Sequence, residues 1–282
     1  MCQRLNIFFN SKLKRVKLKE SGMSYQLEVG ARSVEDVFAA CRGGADRVEL
    51  YVSPSEGALT PSAGLVRACV QARQAAALDI GLFAMLRPRA GDMLYSKEEF
   101  STMRHDQELL LQQGIDGLMF GVLTPEGELD LARMRELMKH CGSRPVTLHR
   151  AFDAVRDPFK TMRQAIDLGV EYLLCGGLTQ SGNWDRKLLP ELFELAAGKI
   201  KMVIALGPSF KTVNLPDFLL NSPFQEYHIV NGYRQRASAM KYRPGMEAEA
   251  DDYLRKNQAT VEYLEESAVR EIRDIMDKHE RQ

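Results

Sequence analysis

The feature that most constrains this chain is an alternation. Eight short runs rich in β-forming apolar residues each precede a longer segment of helical period. The runs are Tyr25–Val29, Arg47–Tyr51, Ile80–Leu86, Gly117–Val122, Val146–His149, Tyr172–Cys175, Met202–Leu206 and Tyr227–Val230. Most are almost continuously apolar, as strands of a parallel sheet covered on both faces must be. Strands alternating with helices imply βαβ units.

The intervening segments carry helix punctuation. Ser33 to Asp36 and Ser96 to Glu99 have the spacing of capping boxes, and Asp130 and Asp157-Pro158 precede apolar helical faces. Thr60-Pro61 predicts another helix start. Gly43-Gly44, Gly114, Gly142, Gly169 and Gly198 fall where helices end. Ser267–Lys278 reads as a last helix. Eight such units in 282 residues predict an α/β fold, a (β/α)8 TIM barrel in a single domain. An open doubly wound sheet fits less well, because no Gly-x-Gly-x-x-Gly follows the first strand. The domain is expected over residues 23–282, with Met23 opening it. Residues 1–22, with a basic run, are expected to be a disordered leader.

Composition sets limits on partners. Lys and Arg number 38, as do Asp and Glu, so the formal net charge is zero. That balance argues against a nucleic-acid partner and against docking on anionic lipid. No apolar run approaches a membrane span. Five scattered cysteines without a Cys-x-x-Cys suggest a reducing, cytoplasmic setting. A homodimer or higher homo-oligomer is the expected assembly.

In a barrel of this kind the chemistry sits at the C-terminal ends of strands. Glu28 lies in the first run and Glu49 in the second. The third ends in Arg87, Arg89 and Asp92, followed by Tyr95; the fifth ends in His149, Arg150 and Asp153; the sixth ends in Gly176-Gly177; the eighth carries His228. A carboxylate inside an apolar strand has to face the lumen or its mouth, and it needs a partner there. The plainer reading is an ion network in which Glu28 and Glu49 pair with Arg87, Arg89 or Arg150. The sharper one is a polar pocket at the mouth. Glu28, Glu49, His149, Asp153 and His228 are then candidate catalytic groups. Arg87, Arg89, Asp92, Arg150 and Gly177 are candidate substrate contacts, and Glu28, Glu49 and His149 are candidate metal ligands. Strand alternation keeps His149 and Arg150 from both facing inward unless the strand has ended. Gly207, Ser209 and Lys211 could form an anion site after the seventh strand, although Pro208 removes a donor.

Four segments in order, 43–50, 85–96, 121–130 and 146–158, resemble the CutC family, named for copper homeostasis. The likeness is strongest over residues 25–177 and is visible again at 226–228 and 238–243. It implies a (β/α)8 barrel and a copper cofactor. It also marks departures. Family members often carry cysteine at the positions of Gly30 and Tyr51, and those cysteines are proposed copper(I) ligands in some of them. The loops after the seventh and eighth strands depart as well.

Copper(I) prefers soft thiolate or thioether ligands, whereas this strand-end inventory is carboxylate and imidazole. Cys175, Met85 and Met93 are the soft donors near the mouth. The residues themselves suit a divalent ion such as Mg, Mn or Zn better than copper(I). Three functions follow: copper binding in homeostasis, by resemblance; an enzyme acting on a small anionic or hydroxylated substrate; or a barrel that binds a small polar ligand without catalysis.

Overall fold

A computed structural model describes residues 24–176, 185, 187–207, 210–239 and 260–280. The expected leader and the candidate residues Gly177 and Ser209 lie outside them. Eight strands close into one parallel barrel: β1 (Gln26–Ala31), β2 (Arg47–Leu50), β3 (Gly81–Met85), β4 (Gly117–Phe120), β5 (Val146–Leu148), β6 (Tyr172–Cys175), β7 (Lys201–Leu206) and β8 (Glu226–Ile229). Closure is made by β1 against β8, with Glu28 level with His228 on one side and with Arg47 on the other. The outer helices are α1 (Val34–Gly43), α2 (Ala63–Ala75), α3 (Lys97–Gln112), α4 (Leu131–Cys141), α5 (Pro158–Leu168), α6 (Leu188–Ala196), α7 (Leu215–Leu220) and α8 (Glu266–Glu280).

Strand alternation divides the apolar residues into two cores. Leu27, Val29, Val48 and Leu50 point outward and pack under the helices. Phe83, Met85, Met119, Tyr172, Leu174 and Val203 point inward and fill the lumen. Both faces of each strand are therefore buried, which is why the runs read as continuously apolar. Two inward residues at the N-terminal end, Arg47 and Glu226, are charged. The Arg47 guanidinium lies 4.3 Å from the Tyr172 ring centroid and 4.9 Å from that of Phe83. It pairs with Glu28, and with Glu226 at 3.1 Å. This stack fills the lumen at the N-terminal ends of the strands.

Caps set the helix starts. Ser96 and Glu99 form a full capping box on α3. Asp130 and Asp157 accept from backbone N–H groups at the starts of α4 and α5. Two expectations need correction. Pro61 does not open α2: the Ser62 hydroxyl accepts from Leu65 N and caps the helix two residues after Thr60. The Thr60 hydroxyl is engaged instead by the Arg87 backbone. At α1 only half a capping box forms. Ser33 accepts from Asp36 N, but the Asp36 carboxylate accepts from Arg32 N, Tyr233 Oη and Leu264 N. Those last two partners belong to an antiparallel hairpin that the eight-run reading missed, β9 (Tyr233–Ala237) with β10 (Thr260–Leu264). It precedes α8, whose buried face carries Val269, Ile272 and Met276. No described helix is long and apolar enough to cross a membrane.

Candidate functional site

Above the Arg47 layer, three inward side chains meet. Glu28 on β1, Glu49 on β2 and His228 on β8 place one donor atom each within 4.8 Å of one another, and all three are buried. His228 Nδ1 is 2.8 Å from Glu28 Oε1, and its Nε2 is 3.3 Å from Glu49 Oε2. An imidazole held between two carboxylates is thus oriented from both ends. The order runs Arg47, Glu28, His228, Glu49, from the closed floor toward the mouth.

The environments of the two glutamates drive them apart. Burial alone pushes the Glu28 carboxyl up, but the Arg47 charge and the His228 hydrogen bond outweigh it and hold the group near 2. Among the described residues no arginine is in hydrogen-bonding contact with Glu49. Burial pushes it up to about 7 against the pull of His228. Burial disfavours the His228 cation, yet the hydrogen bond to Glu28 and the charge of Glu49 raise its value above the usual imidazole. One atom of the trio is left over: among the described residues the buried Glu49 Oε1 has no hydrogen-bond partner.

A cavity of about 350 Å3 opens from the trio to the barrel mouth. Glu49 and His228 form part of its floor, and Arg32, Arg87, His149 and Arg150 part of its wall. β5 has ended at Leu148, so His149 and Arg150 both reach this space. His149 Nδ1 accepts from Ala151 N at 3.1 Å. That bond leaves the proton of a neutral ring on Nε2, which is buried and has no partner. Burial and the nearby Arg87 charge lower the His149 value to about 3, so the ring is neutral.

The other expected residues divide. Arg87 spends its terminal nitrogens on the carbonyls of Glu56, Gly57, Ala58 and Gly91. Gly57 is required there, because its φ is +82° and a Cβ would lie 2.7 Å from Arg87 Nη1. Asp153 joins the β5 and β6 loops, pairing with Arg150 at 2.8 Å and accepting from Gly176 N. Arg89 and Asp92 do not line the cavity. They pair with each other at 3.0 Å, and Arg89 reaches Glu99 at 2.5 Å, closing the loop before α3. Tyr95 is buried in the outer core. His149 stands outside the compact donor trio, and His228 takes the place expected for it.

Several site residues were missed in the sequence. Arg47 and Glu226 each lie two positions before a named candidate, Glu49 and His228, and so share its inward face. That period could have found them. Arg32, Tyr233 and Glu262 come together only through the C-terminal hairpin. Arg32 pairs with Glu262 at 2.7 Å and lies 3.6 Å from the Tyr233 ring centroid. No local pattern announces this.

Gly30 and Tyr51 prove to be one feature. A Cβ at Gly30 would lie 2.7 Å from Tyr51 Cε1, so the ring occupies the space a side chain at position 30 needs. Where family members often carry two cysteines, this chain has one buried phenol and the glycine that makes room for it.

A model of the CutC family matches residues 25–232. The chain belongs to the CutC family. A CutC family protein of Vibrio vulnificus is 38% identical over 222 residues, covering 78% of this chain and 86% of the relative. A human relative named copper homeostasis protein cutC homolog is 40% identical over 219 residues, covering 78% and 77%. A crystal structure of a Streptococcus agalactiae protein described as CutC superposes with a TM-score of 0.64 at 23% identity, covering 73% of this chain and 99% of that one. At that identity the superposition shows the fold alone: a single closed (β/α)8 barrel, as the alternation predicts.

Proposed function

We propose that this CutC barrel acts in copper homeostasis, as its relatives' names state, by holding copper in the oxidised, divalent state at Glu28, Glu49 and His228. The observation that carries this reading is the buried trio with its one uncommitted oxygen. Two carboxylate oxygens and an imidazole nitrogen within 4.8 Å form a hard-to-borderline donor set. Glu49 Oε1 is the buried acceptor that a cation would satisfy. For a nitrogen–oxygen site of fixed geometry, divalent copper binds more tightly than zinc or manganese.

The same chemistry argues against copper(I). Among the described residues no cysteine lines the cavity, whose soft donors are only the thioethers of Met85 and Met93, and the positions where family members often carry cysteine hold Gly30 and Tyr51. His149 is unsuited to the ligand set in this geometry. The Ala151 N–H bond occupies Nδ1 and leaves Nε2 a donor. Arg47 and Glu226 would support the site from below by fixing the orientation of Glu28. A bound ion would supply Lewis acidity and charge at the floor of the cavity.

The test is titration of metal-free protein with copper(II), zinc, manganese and, under reducing conditions, copper(I). Copper(II) is expected to bind tightest. Glu49→Gln and His228→Gln should each weaken it at least tenfold, in line with loss of a ligand. Unchanged copper(II) affinity in both variants, or binding of copper(I) alone, would overturn the assignment.

A further inference from the structure

The cavity wall above the trio has its own unmet requirement, and it is for negative charge. Arg87 is 5% exposed, and among the described residues it pairs with no carboxylate. Its terminal nitrogens donate to four carbonyl oxygens, which do not neutralise the guanidinium, and its Nε is buried without a partner among the described residues. A buried charge without a counter-ion is costly. The two other arginines on the wall already have partners, Arg32 in Glu262 and Arg150 in Asp153. One cation is therefore uncompensated. Beside it stands the His149 Nε2–H, 2% exposed and without an acceptor. Across the cavity, Glu49 Oε1 has no donor. Met85, Leu174 and Val230 give the space an apolar side.

We infer that this cavity binds a small organic hydroxycarboxylate. Its carboxylate faces Arg87 and the His149 Nε2–H, and its hydroxyl donates to Glu49 Oε1. One unpaired cation calls for a single negative charge, and so for a carboxylate ahead of a dianionic phosphate. A phosphate site in a barrel usually gathers backbone N–H groups from the loops after the seventh and eighth strands. Here the uncommitted donors, Arg87 Nε and His149 Nε2, come instead from the loops after β3 and β5. The apolar side and the cavity volume fit a carbon skeleton of a few atoms better than a bare ion. The ligand shares Glu49 Oε1 with the copper assignment, but its carboxylate contacts at Arg87 and His149 require no metal, so the two readings are tested separately.

The experiment uses the full chain stripped of metal throughout. Thermal unfolding and calorimetric titration are run with L-lactate, glycolate, inorganic phosphate and propane-1,2-diol. A ligand that binds only the folded state raises the melting temperature as its concentration exceeds Kd. We expect a rise of several degrees with the two hydroxycarboxylates at 10 mM, as a rough working concentration, and none with the diol. Arg87→Met and His149→Phe should each lower affinity at least tenfold. Arg87 also ties the Gly57 loop, so if Arg87→Met does not fold, His149→Phe decides. The inference is overturned if neither hydroxycarboxylate shifts unfolding, if phosphate shifts it and they do not, or if His149→Phe binds them as well as the wild type. Because no metal is present, failure here leaves copper(II) binding standing. Loss of copper(II) binding likewise leaves the carboxylate result intact.

Discussion

Tyr51 and Gly30 show how a single exchange can redirect a site. The Tyr51 ring is buried at 3% exposure and packs directly over the Gly30 Cα. Gly30→Ala should therefore destabilise by about 1–3 kcal/mol through overpacking, measured by urea unfolding. Tyr51→Ala in the same chain should remove that penalty, so the two changes should couple by more than about 1 kcal/mol in a double-mutant cycle. Additive effects would mean that the two positions do not share the space. Replacing both by cysteine should go further. With the ring gone, two thiols face one volume beside Glu49, and affinity for copper(I), read by competition with a chromogenic chelator, should rise at least tenfold over wild type. The preference of this chain for an oxidised ion would then trace to those two positions.

At the level of elements, the Asp36 carboxylate ties the C-terminal hairpin to the barrel, beside the Arg32–Glu262 ion pair and the Tyr233 Oη bond to Gly30 O. Asp36 is 3% exposed and accepts from Arg32 N at 2.9 Å, Tyr233 Oη at 2.8 Å and Leu264 N at 2.9 Å. Asp36→Ala strands these donors, two of them backbone N–H groups that no rotamer change can redirect. A loss of about 2–4 kcal/mol is expected, with faster amide exchange at Leu264 and weaker ligand binding, since Tyr233 and Glu262 line the cavity. Asp36→Asn keeps one carbonyl acceptor and should lose less. Equal losses in the two variants would show that the carboxylate is not the tie. The hairpin also marks the limit of what the sequence discloses. Buried strands announce themselves because both faces are apolar, and the eight runs lie within a residue or two of β1–β8. The sequence Tyr-Arg-Gln-Arg-Ala of β9 is mostly exposed and carries no such signal. The trio was legible for a related reason. A charged residue inside an apolar strand is conspicuous, and the lumen is the only polar space open to it. The wall was less so, because Arg87, Arg89, Asp92 and Tyr95 fall within nine consecutive residues and nothing local separates the one facing the cavity from those closing a loop.

Across the whole molecule, a net charge of zero conceals a separation of environments. The floor of the barrel satisfies its charges internally: Arg47 is shared between Glu28 and Glu226, and aromatic rings flank it. Glu49, nearer the mouth, has no comparable partner. This separation should be visible in the pH dependence of stability of the metal-free protein. The Glu49 value in the folded state, about 7, stands above its ordinary 4.5. Its contribution is therefore fully present below about pH 4.5 and is lost as pH rises through 7. Glu28 has the opposite sign: held near 2, it stabilises above about pH 4.5 and loses that contribution only as pH falls toward 2. Between pH 5 and 8 the Glu28 contribution is constant while that of Glu49 declines. The His228 value is also raised, so its contribution falls on the alkaline side as well, in the wild type and in any variant that keeps the imidazole. The informative quantity is thus a difference. Glu49→Gln supplies a neutral side chain of the same shape, so its stability relative to wild type should rise by about 1–3 kcal/mol from pH 5 to pH 8. Chemical denaturation at the two pH values measures it. A difference that stays flat across the interval would mean that Glu49 is solvated or paired like any surface carboxylate, and the buried, uncommitted oxygen on which the metal site rests would lose its physical basis.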